Sequence, residues 1–125
     1  MMEYKVSKLN EYFAEKTAEC SQQKVYLLAD DRRDEASFWQ IRANIYDIFK
    51  TILSVAERTQ KSDEGANSFF VKKFNEMTNT WAESGKKASD HGDAQKAAIE
   101  QIKVETAGEI RRVFEEIWGE NNDGN

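Results

Sequence analysis

The sequence predicts an all-α protein, an antiparallel bundle of about four helices with the second at its centre. Three observations carry this. Phe38, Ile41, Ile45, Ile48, Ile52 and Val55 are spaced three, four, three, four and three residues apart, which aligns six large apolar side chains on one helix face. Proline is absent from all 125 residues, so the strongest helix breaker is missing. Four of the six glycines, Gly65, Gly85, Gly92 and Gly119, fall near the expected helix ends.

The first helix is expected over Ser7 to Ala29, with a start one turn earlier as the alternative. Its stripe is Leu9, Phe13, Thr17, Cys20, Leu27 and Leu28, with Val6 above, and Glu11, Glu15 and Glu19 line the opposite face. Asp30-Asp31-Arg32-Arg33-Asp34-Glu35 then interrupts the apolar pattern. Asp30 or Asp31 is the expected N-cap of a second helix, with further acids in its first turn favoured by the dipole. One continuous kinked helix is the alternative, because no glycine or proline separates the two segments.

The second helix runs to Thr59. Trp39, Tyr46, Phe49, Leu53 and Ala56 widen its seam to an apolar arc of roughly 200° at about 100° per residue. So broad an arc needs more than one neighbour, which makes this helix the central one. Gln60 to Ala66 reads as a loop. Asn67 or Ser68 is the expected cap of a third helix bearing Phe70, Phe74, Met77 and Trp81, with Gly85 as its C-cap. Lys86 to Asp93 reads as a polar connection. A fourth helix, capped by Asp90 or Asp93, carries Ile99, Ile102, Thr106, Ile110, Val113, Phe114, Ile117 and Trp118. Residues 1–119 are expected to form one domain and 120–125 a frayed tail. No internal repeat, linker or strand-like run is visible. The first two helices look longer than the last two, so uneven pairing and an exposed remainder of the seam are expected.

Composition narrows the function classes. Charged residues make up 33% and hydrophobic residues 39%, with a mean hydropathy of -0.80. No stretch approaches the ~20 apolar residues of a membrane span, and the N-terminus lacks the layout of a signal peptide. A cytoplasmic location is expected. The single cysteine, Cys20, allows no intrachain disulfide. A net charge of -5 opposes nucleic acid in the long-range field. Lys72, Lys73, Lys86 and Lys87 around Trp81 are interleaved with Glu76, Glu83 and Asp90, which reads as a mixed-charge solvated face.

Reaction chemistry is hard to find. His91, the only histidine, sits in a polar, glycine-flanked stretch, and the residue three before it is Ala88. The Glu-x-x-His pair of di-iron bundles is therefore absent. Cys20 falls on a core stripe and reads as a buried thiol, although Lys16 and Lys24 flank it one turn away. The one irregularity lies at the start of the main seam. Carried backwards, the apolar face passes through Asp31, Asp34 and Glu35, and Arg42 sits within it. This polar cluster reads as capping and structural ion pairing, with Arg42 in a partly buried carboxylate pair.

The expected function is protein–protein contact without catalysis, through a homodimer, with no metal, cofactor or nucleic acid. The alternative is a metal-dependent all-α enzyme on phosphate-containing small molecules, using Asp31, Asp34 and Glu35. The paired-acid pattern Glu-Glu-x-x-Glu followed by Glu-x-x-Asp, by which all-α nucleotide pyrophosphohydrolases hold such ions, does not occur.

Overall fold

The computed structural model describes residues 2–119. Among them there are four helices, α1 (Met2–Ala29), α2 (Arg33–Thr59), α3 (Asp63–Asp90) and α4 (Ala94–Gly119), and no strand. They form an up-down-up-down bundle in which α2 packs against all three others. The expected tail, residues 120–125, lies outside the described residues.

α1 ends at Ala29 and α2 at Thr59 as the apolar spacing predicts, whereas the N-termini of α1 and α3 begin earlier and α3 runs on past Gly85. α1 starts at Met2 because its first turns bury Lys5 and Val6. α3 starts four to five residues before the expected caps. Ser62 is its N-cap, with Oγ accepting from the Gly65 amide at 3.0 Å, and Asp63 and Glu64 occupy the positive end of the dipole. Gly85 does not end α3 but lies inside it. A Cβ at Gly85 would stand 3.2 Å from Glu100 Cβ, so this glycine serves close approach of α3 and α4. All four helices are 26 to 28 residues long, so the uneven pairing expected from the sequence is not found.

Neither Asp30 nor Asp31 caps α2. Its N-cap position is Arg32, without a side-chain cap bond. Asp31 instead ends α1 in the left-handed region, at φ 58°. The Asp31 amide donates to Leu28 O at 3.1 Å and the Arg32 amide to Leu27 O at 2.8 Å, the Schellman pair that satisfies the last carbonyls of a helix. Aspartate tolerates this backbone better than most residues, which lets α1 and α2 separate without glycine. The α3–α4 turn is built the same way. Gly92 stands at φ 76°, its amide donates to Ser89 O at 3.1 Å, and the Asp93 amide donates to Ala88 O at 2.8 Å. Asp93 then caps α4, its Oδ1 accepting from the Lys96 amide at 3.1 Å.

These twin turns belong to a repeat that the sequence conceals. Met2 and Asp63 start α1 and α3, and Arg33 and Ala94 start α2 and α4, a spacing of 61 in both cases. The same spacing pairs buried residues: Leu9 with Phe70, Leu27 with Ala88, Ile45 with Thr106, Tyr46 with Ala107, Phe49 with Ile110, and Leu53 with Phe114. The bundle is therefore two helical hairpins related by an approximate two-fold along its axis. α2 and α4 lie across that axis and pack closely, while α1 and α3 stay peripheral. Side-chain identity survives at only eight of the paired positions, among them Phe13 and Phe74, Thr17 and Thr78, Ala36 and Ala97, and Ile41 and Ile102. Burial and turn geometry are repeated far more fully than residue type.

The core runs through an aromatic stack. Phe70 and Phe114 lie parallel with centroids 4.0 Å apart, and Phe114 stacks on Trp118 at 4.8 Å. Phe49 meets Phe70, Phe74 and Trp81 at 5.7, 5.9 and 6.3 Å. Fully burying each such ring contributes roughly 1.5–3 kcal/mol. The α2 seam is turned from its expected centre. Ile45 and Ile52 are buried with Tyr46, Phe49, Leu53 and Ala56, whereas Phe38, Ile41, Ile48 and Val55 are half-buried. The flank bearing Tyr46 meets α1 and α4, and that double contact draws the helix round.

Candidate functional site

Asp31, Asp34 and Glu35 line one open surface hollow with Arg32 and Arg33, a hollow that does not include Arg42. Asp31, Asp34 and Glu35 are all exposed. Asp31 lies 3.4 Å from Arg33, and Glu35 forms a close pair with Arg32, which also lies 3.8 Å from Asp30. Asp34 gives its backbone carbonyl to the Ser37 hydroxyl at 2.7 Å. Arg42, a half-buried side chain two turns further on, places its guanidinium carbon 4.6 Å from the centre of the Trp39 ring. Its neighbour is thus an aromatic face in place of the expected carboxylate, a cation–π contact that keeps a charge close to apolar surface. Among the described residues no group of three or more His, Cys, Asp or Glu side chains is placed to hold a metal ion.

A different polar cluster lies at the middle of the bundle. Tyr46 on α2 donates to Glu109 Oε2 at 2.7 Å, and Tyr12 on α1 donates to the same oxygen. The two rings meet edge to face at 6.0 Å. Burial raises both phenols far above their ordinary value, and the hydrogen bonds to Glu109 push in the same direction. Both tyrosines are therefore held as neutral donors to one carboxylate. The arrangement ties three helices at one level and fixes their register. Nothing in the sequence pairs these residues, since Glu109 is 63 and 97 positions from its partners.

Nearby, Cys20 is buried. Burial, followed by the charge of Glu19, raises its thiol, outweighing the opposing influence of Arg42 and Lys16. A thiol kept protonated is a poor nucleophile. His91 is exposed, its Nδ1 lying 2.8 Å from Lys87 O at the end of α3. Lys73 lies 3.8 Å from Glu76 and over the Phe69 ring, in keeping with the mixed-charge face.

The two ends of the bundle differ. At the end holding the α2–α3 connection, buried Lys5 pairs with Asp63 at 2.8 Å and stands 5.3 Å over the Trp118 ring. The Trp118 indole donates to Asp63 O at 2.9 Å. These contacts close α1, α3 and α4 together. At the opposite end, Leu27, Ala36 and Ala88 are buried beside the twin turns. Val25, Tyr26 and Leu28 are 68, 67 and 47% exposed there. A surface groove of about 380 Å³ runs between α1 and α2 beside them, lined by Cys20, Lys24, Val25, Leu28 and Trp39. No helix among the described residues is long and apolar enough to cross a membrane.

No protein-family model, no curated protein and no solved structure matches this chain.

Proposed function

We propose that this protein works through contact with protein surfaces, as a self-associating helical scaffold without a catalytic centre of its own. The observation that carries the reading is the run of exposed apolar side chains, Val25, Tyr26 and Leu28, at the end of α1. Val25 and Leu28 share one face of α1 and Tyr26 stands on another, and exposed large apolar side chains on a highly charged chain favour contact with a partner. The polar clusters support the same reading, because the Tyr12–Tyr46–Glu109 and Lys5–Asp63–Trp118 groups each satisfy one another inside the bundle.

Multi-angle light scattering over a concentration series tests the reading. Self-association should appear as a molar mass rising above that of a 14.4 kDa monomer. A strict monomer at every concentration would remove the reading.

A further inference from the structure

We infer that the surface used for self-association is the end of the bundle formed by the twin turns, with a second copy of this chain as its occupant. In that pairing the α1–α2 tip of each copy lies on the α3–α4 tip of the other. The inference rests on the scaffold reading above and gives it a location and a chemistry.

The repeat supplies the first argument. At the spacing of 61, Val25 corresponds to Lys86 and Tyr26 to Lys87, and all four side chains are exposed. One backbone position in two equivalent hairpins thus carries lysine in one and a bare apolar group in the other. Intramolecular packing does not account for Val25 and Tyr26, since the same scaffold accepts a solvated charge at both places.

Charge supplies the second. The α1–α2 tip carries four carboxylates, Asp30, Asp31, Asp34 and Glu35, against two guanidiniums, Arg32 and Arg33. The α3–α4 tip carries three ammonium groups, Lys86, Lys87 and Lys96, against two carboxylates, Asp90 and Asp93. All of these residues are exposed. Within one copy the tips share an end of the bundle but sit on opposite edges. A two-fold axis perpendicular to the bundle lays each acidic, apolar tip on a basic one, twice over, and closes the assembly. The ammonium groups of Lys86 and Lys87 would then be drawn toward the carboxylates of the acidic tip. The opposite end offers no such pairing, because Lys5, Asp63 and Trp118 close it internally.

Two bundle ends make a small interface, so the dimer should exchange rapidly and weaken with salt. Sedimentation velocity of the full chain at low and high ionic strength reads this directly. Lys86→Glu with Lys87→Glu should raise the dimer Kd about tenfold or more. Adding Asp30→Lys and Asp34→Lys to that variant should restore association by exchanging the charges of the tips. Val25→Lys with Tyr26→Lys should also give monomer, with circular dichroism and Tm unchanged because both sites are exposed. Tyr4→Lys, at the closed end, should leave association as it was. A wild-type dimer indifferent to all tip variants would overturn this interface and leave the scaffold reading standing. So would a dimer broken by the apolar variant but unmoved by the charge reversals. A wild type that is monomeric at every concentration would remove both.

Discussion

Tyr46 on α2 donates its hydroxyl to Glu109 Oε2 on α4 at 2.7 Å, and this bond joins the two helices that face each other across the approximate two-fold. Tyr12 completes the group from α1. Tyr46→Phe should cost about 1.5–3 kcal/mol, as expected for a hydrogen bond to a charged acceptor. Tyr12→Phe and Tyr46→Phe together should cost less than the sum of the two alone, because they share one oxygen. Urea unfolding of the single and double variants measures both values.

The same tyrosines set the response to alkali. Both phenols are raised in the folded protein, by burial first and by Glu109 next. A raised folded value means the contribution to stability is whole below the unfolded phenol value of about 10 and is lost as pH climbs through the folded value. Thermal unfolding should therefore show Tm falling above about pH 10. Absorbance at 295 nm should show two phenols ionising only with unfolding. Tyr12→Phe with Tyr46→Phe should remove that late step.

Two helix-interior glycines should respond with opposite signs. Nothing lies within 4 Å of a Cβ built at Gly108, so Gly108→Ala should stabilise by about 0.5–1 kcal/mol through backbone entropy. Gly85→Ala has the same intrinsic gain, but its Cβ meets Glu100 Cβ at 3.2 Å. Because that Cβ is fixed to the α4 backbone, the helices must part slightly, and a net loss of about 1 kcal/mol is expected. Chemical unfolding of the two variants side by side decides the signs.

The closed end should depend on Asp63 more than on the charge of Lys5. Asp63→Ala leaves a buried ammonium without its partner and should cost about 2 kcal/mol, less than the ~3–5 of a fully buried pair because Asp63 is partly exposed. Lys5→Met removes the charge together with the need for a partner and keeps the stem over Trp118, so its cost should be smaller. Thermal melts of the two variants test the order.

Much of the architecture was legible along the chain. The Phe38–Val55 spacing announced a helix that needs several neighbours, and α2 does touch all three. The helix ends were less legible, because caps depend on backbone geometry that residue type only suggests. Asp31 looked like the start of α2 and turned out to finish α1. Gly85 looked like a stop and instead marks a close contact. Of the polar cluster, Asp34, Glu35 and Arg42 lie within α2 as the spacing implied, whereas Asp31 lies before its start at Arg33.

The sequence by itself determined that the chain is helical and roughly where its four helices lie. These are local properties, set by side chains three and four positions apart. Only the tertiary structure decided that the chain is a repeated hairpin, since the repeat lives in turn geometry and burial while the residues have diverged. Tertiary structure also brought Tyr12, Tyr46 and Glu109 to one point and joined Lys5, Asp63 and Trp118 at one end of the bundle. Those outcomes depend on how helices distant in sequence are placed in register, and that information is not carried by any local spacing.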